Sequence, residues 1–96
     1  MLGQASSFEV RLKPARLVHA VADTVTRLGI SVRWEQGSFR GGLCSIEGEP
    51  VLILNKQQPA ESQLAVLAGV LRRLPLDSIY IRPAVREDIK RLLEAV

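Results

Sequence analysis

The sequence is poor in the residues that do most metal and covalent chemistry. It holds one cysteine, one histidine, one tryptophan and one tyrosine in 96 residues. A lone cysteine, Cys44, excludes an intramolecular disulfide. With no secretion signal it points to a reducing cytoplasm. One histidine and one cysteine fall short of the three or four ligands that a zinc site needs, so neither a metal nor another cofactor is expected. No apolar run approaches the ~20 residues of a membrane span. There are no internal repeats and no low-complexity stretches. Residues 1–7 have neither the basic start nor the apolar run of a signal peptide and are expected to form a flexible tail. Lysine is scarce as well, present only as Lys13, Lys56 and Lys90, so the net charge of +3 rests on arginines scattered along the chain. A dedicated nucleic-acid binder concentrates charge on one face, which places nucleic acid low among the expected partners.

What is present belongs to an ordinary globular domain. The hydrophobic share is 47% and the charged share 24%, too apolar and too balanced for disorder. The length suits one domain, expected over 8–96.

Phe8, Val10 and Leu12 alternate with charged residues and suggest a short strand. Pro14 suits the first turn of a helix, and Gly29 suits its end. Between them Leu17, Val21, Val25 and Leu28 build one apolar face, with Asp23 and Arg27 four apart on the other. Ile30, Val32 and Trp34 alternate as a half-buried strand. A loop follows from Gln36 to Gly42, and a second strand from Leu43 to Glu47. Gly48-Glu49 suits a tight hairpin, and Pro50 opens a third strand. Val51 to Leu54 is apolar on both faces, which predicts a central strand covered on both sides. Pro59 starts a second helix, whose stripe of Ala60, Leu64, Leu67, Leu71 and Leu74 is widened by Val66 and Val70. Such a wide stripe predicts a helix enclosed between the sheet and another element. Pro75 stops it. Ile79 to Ile81 reads as a last short strand. Pro83 starts a third helix carrying Val85, Ile89, Leu92 and Val96. The expected fold is therefore α+β: a small, mostly antiparallel sheet, built as a three-stranded meander plus a short strand, with three helices packed on it.

Few constellations carry chemistry. His19 sits four residues before Asp23 on a helix, where a carboxylate can charge the ring. No nucleophile is placed beside it, so a surface helical pair is the plainer reading. Cys44 alternates with Ile46, which predicts an inward-facing, inert thiol. Ser38-Phe39-Arg40-Gly41-Gly42 is the most particular loop. Its glycines allow N–H groups to converge on an anion, and Arg40 adds charge, whereas the plainer reading is a turn into the second strand. Arg82 and Arg86 flank the start of the third helix. There they repel each other and oppose the macrodipole. Their compensation is either a carboxylate of the chain, such as Glu87 or Asp88, or an acidic ligand or partner.

From Gly29 to Leu74 the order of elements resembles the minimal core of short zincin-type metallopeptidases of the IrrE/ImmA kind. The resemblance is carried by Gly41-Gly42-Leu43-Cys44-Ser45-Ile46-Glu47-Gly48, by Val51-Leu52-Ile53-Leu54-Asn55 and by the helix through Leu64 to Leu74. In that alignment Gly69 and Arg73 occupy the two histidine positions of HExxH, and Val70 that of the glutamate. The resemblance thus implies a core without zinc ligands or general base, and no peptidase activity. The chain also looks like small bacterial proteins that share a Gly-Gly-Leu-Cys…Ile-Leu-Asn core and a Pro-Ala-Val-Arg-Glu helix start and have no assigned activity.

The sequence therefore predicts a small, cytoplasmic, non-catalytic interaction or regulatory module of bacterial origin, open to a protein partner or to self-association and not to a membrane. The alternative is a binder of an anionic small molecule or nucleic acid through Arg40, Gly41, Gly42, Arg82 and Arg86.

Overall fold

The computed structural model describes residues 12–95. The tail expected over residues 1–7 lies outside them. So does most of the expected strand at Phe8 to Lys13, of which only Leu12 and Lys13 are described, neither in a strand.

Helix α1 spans Pro14–Arg27, with proline in its first turn. It ends where Gly29 takes φ +94°, a conformation that side-chain-bearing residues avoid. Strands β1 (Ser31–Glu35), β2 (Gly41–Ile46) and β3 (Glu49–Asn55) follow, then helix α2 (Ala60–Leu71). A 3₁₀ turn at Leu76–Ser78 leads to helix α3 (Pro83–Ala95). The result is an α+β domain of three helices on a three-stranded sheet.

The sheet order is β1-β3-β2, with β3 parallel to β1 and antiparallel to β2. The sheet is thus mixed and is not the expected meander. The loop after β1 carries the chain past the place that β3 later fills. The most apolar strand, Val51 to Leu54, thereby gains a neighbour on each side. Pro50 fits this arrangement, because pairing with β1 begins one residue later, at Val51. The β2–β3 turn is centred on Glu47 and Gly48, at φ 53° and 82°. Two successive positive φ angles are the signature of a type I′ turn, one residue earlier than the hairpin expected at Gly48-Glu49.

The expected short strand at Ile79 to Ile81 is absent. The segment is held between Pro75 and Pro83 and joins no strand. Ile81 instead enters the helical core at 4% exposure, while Tyr80 stands in solvent at 70%.

The core lies between the helices and one face of the sheet. Leu52 and Leu54 meet Val21, Val25, Leu64, Leu67 and Leu71, all buried. Helix α2 touches β2, β3, α1 and α3, the enclosed position that its wide apolar stripe predicts. The opposite face of β3 was expected to be covered as well. On that second face Val51 is buried at 7% exposure and Ile53 is half-buried.

Candidate functional site

The distinctive region of the surface is the outer edge of the sheet at β2, which pairs on that side with no described strand, with the loop that feeds it. Asn55 builds that loop. It ends β3, is 1% exposed, and its Nδ2 donates to the carbonyls of Gly37 at 2.8 Å and Phe39 at 2.6 Å. Its Oδ1 accepts the Gln57 N–H at 2.9 Å, an Asx turn that starts the connection to α2. Its own carbonyl accepts from Gln63 Nε2 of α2 at 2.9 Å. One buried amide thus fixes the loop at residues 36–40, the end of β3 and the start of α2 together.

The loop delivers the chain to Gly41 against β3. Gly41 has φ +106°, and a Cβ placed there would stand 2.6 Å from the Ile53 carbonyl oxygen. Only glycine allows so close an approach. Beyond it, Leu43 to Ile46 are all exposed along the edge. Alternation across the register puts Gly42, Cys44 and Ile46 on the same face as Val51 and Ile53, away from the helices. Cys44 is therefore exposed, not core-facing as expected. The alternation with Ile46 holds, but the shared face is the one away from the described helices.

Two concavities meet at this edge. One, of about 650 Å³, lies on the open face and is lined by Glu35, Phe39, Arg40, Gly42, Cys44 and Ile53. The other, of about 370 Å³, lies between β2 and α2 and is lined by Arg40, Gly41, Gly42, Ala65, Gly69 and Arg73. Arg40, Gly41 and Gly42 are thus together. Arg73 joins them, two residues past the end of α2, at a position that sequence reasoning treated only as a missing histidine. Neither Arg40 nor Arg73 forms an ion pair with a described residue.

Arg82 and Arg86 lie elsewhere. Arg86 lines a separate concavity of about 360 Å³ with Leu76, Ile81 and Glu87. It pairs with Asp77 at 3.4 Å, both side chains well exposed. Arg82 pairs with no described residue; its carbonyl accepts the Arg86 N–H at 2.9 Å, the first bond of α3. Asp88, another candidate partner for these arginines, is taken up otherwise. It is 4% exposed, accepts from Arg91 at 2.8 Å and from the Leu12 N–H at 2.9 Å, and so ties the start of α1 to α3.

His19 forms no pair with Asp23. Its ring lies 5.1 Å from that of Trp34 on β1, at the opposite edge of the sheet from Cys44. Arg27, the other expected partner of Asp23, donates to the Tyr80 carbonyl. Among the described residues, no three His, Cys, Asp or Glu side chains gather to hold a metal ion, and no helix is long and apolar enough to cross a membrane. Comparison with protein-family models, with curated proteins and with solved structures finds no match.

Proposed function

We propose that this protein is a non-catalytic, cytoplasmic interaction module whose contact surface is the β2 edge. One observation carries the reading. From Gly41 to Ile46 the edge strand has no charged residue and no proline, and its apolar side chains Leu43 and Ile46 are 38% and 37% exposed. Edge strands are normally blunted by lysine, proline, bulges or a covering element, because unpaired N–H and C=O groups recruit other strands. An edge that no described residue blunts, and that Asn55 and Gly41 hold in place from behind, suits addition of a partner strand. The separation of His19 and Cys44 on opposite edges agrees with a module without catalysis.

The test is the size of the protein in extracts of the cells that make it. Gel filtration will place the wild type above its monomer mass and Leu43→Lys at the monomer mass. A wild type that runs as a monomer refutes the reading.

A second reading has one observation of its own: Arg40 and Arg73, both without ion partners among the described residues, line one groove floored by glycines. That geometry favours a small phosphate- or carboxylate-bearing ligand over nucleic acid, since two guanidiniums in a short groove match one anionic group. Titration with inorganic pyrophosphate, followed by NMR, will shift the Arg40 to Leu43 amides in the wild type and not in Arg73→Ala.

A further inference from the structure

We infer that the partner on β2 is a second copy of this chain, paired antiparallel about a two-fold axis at Cys44, with Ile46 of each copy seated over Gly42 of the other. This rests on the edge-strand reading above and names its occupant.

Charge gives the orientation. The uncharged strand is bounded by Arg40 on one side and Glu47 on the other, and neither has an ion partner among the described residues. About Cys44, an antiparallel copy sets Arg40 opposite Gly48 and Glu47 opposite Gly41 of the other chain, so opposite charges come within one residue of each other at both ends. A parallel copy in register sets like charges together, which disfavours it.

Shape gives the register. Two identical antiparallel strands in one sheet are related by a two-fold axis normal to the sheet, so some residue must face itself. With Cys44 on the axis, Leu43 faces Ser45 and Ile46 faces Gly42, and all of residues 42–46 are paired. Directly opposed residues share a face, so the Ile46 side chain arrives on the open face of the other copy. A Cβ at Gly42 would find nothing within 4 Å. Gly42 lies at the concavity of about 650 Å³ walled by Phe39, Cys44 and Ile53. The exposed isoleucine and the apolar space meet. With Leu43 on the axis instead, Ile46 falls opposite Arg40 and that space stays empty.

The same axis places both helical layers on one side, and the continuous sheet then runs β1-β3-β2-β2-β3-β1.

Sedimentation equilibrium of the purified full chain over a wide concentration range tests this. The wild type will reach twice the monomer mass of 10.6 kDa. Cys44→Lys and Cys44→Asp each put like charges face to face on the axis, so each alone will stay monomeric where the wild type is dimeric. An equimolar mixture of the two will recover the dimer. Circular dichroism checks that both variants fold. If either does not, the exchange of charges serves instead: Arg40→Glu and Glu47→Arg each weaken the dimer at least tenfold, and the double variant restores it. A wild type that is monomeric throughout overturns the second copy as partner, while a larger species in extracts would still leave β2 as a docking edge. A Cys44→Lys protein that dimerises like wild type, or a mixture that stays monomeric, overturns the pairing about Cys44.

Discussion

Replacing Asn55 by alanine will destabilise the domain by about 2–4 kcal/mol, and most of the disorder will appear at residues 36–40. The side chain makes three hydrogen bonds, to Gly37 and Phe39 as donor and from Gln57 as acceptor, all at 2.9 Å or less. Each such bond contributes about 0.5–1.5 kcal/mol net, and a partner stranded away from water costs about 1–3. Gly37 and Phe39 are exposed residues, so water can reach part of what is left. That keeps the sum below the largest combination of these terms. For a domain whose whole stability is on the order of 5–10 kcal/mol the loss is large. Urea denaturation measures it: the midpoint falls while the slope stays constant, since the surface exposed on unfolding hardly changes. Asn55→Asp is the sharper probe, because it keeps the acceptor toward Gln57 and turns an oxygen toward two carbonyls. It will cost at least as much as alanine. A loss below about 1 kcal/mol for both variants would show that the loop holds its shape without Asn55, and would refute the account of how β2 is positioned.

Gly41→Ala will destabilise the fold well beyond the usual surface substitution, because its Cβ meets the backbone carbonyl of Ile53 at 2.6 Å and no side chain can yield; a urea midpoint within error of wild type contradicts this. Leu67→Ala, at a site with 0% exposure in the core between the helices and the sheet, will cost about 2–5 kcal/mol by lost transfer energy and a cavity, again read by urea denaturation. Cys44 will react with a thiol reagent in dilute native protein nearly as fast as in denaturant, since it is exposed; slow native labelling at every dilution would return it to the core. Arg86→Ala will cost less than about 1 kcal/mol because its ion pair with Asp77 is solvent-exposed. Arg82→Ala will leave stability unchanged or raise it slightly, by relief of the helix dipole; thermal melts of the two variants decide both.

Local signals in this chain are strong where backbone chemistry is decisive. Pro14 and Gly29 bracket α1, Pro83 opens α3, and the all-apolar run at Val51 to Leu54 becomes the central strand. What the sequence leaves open is non-local. The period-two pattern of β1 and β2 is the same whether β3 lies beside them or between them, so it does not separate a meander from the order β1-β3-β2. Alternation sorts Cys44 and Ile46 onto one face without saying which face the helices cover. Ile79 to Ile81 has strand-forming residues, but strands need a free neighbour, and two prolines hold this segment at the helical layer. At the candidate site, Arg40, Gly41 and Gly42 are legible as one loop because they are contiguous. Arg73 comes to the same groove only through the packing of α2 on β2. Asn55 carried a usable signal, an Asx residue directly after an apolar strand and two before Gln57, which marks a turn even though its reach to Gly37 and Phe39 is tertiary. Arg82 and Arg86 are unusual for their helix end, and the structure gives Arg86 a partner, Asp77, from the preceding 3₁₀ turn.

The claim that β2 is the contact edge is tested most directly by a photo-crosslinking residue placed at Leu43 in the cells that make the protein, with a second placed at Arg82, just before α3, as control. Irradiation will give a discrete higher-mass adduct from position 43 and none from position 82. An adduct of twice the chain mass identifies the second copy. The opposite result, no adduct at 43 or an equal one at 82, contradicts the assignment of the β2 edge as the surface through which this protein works.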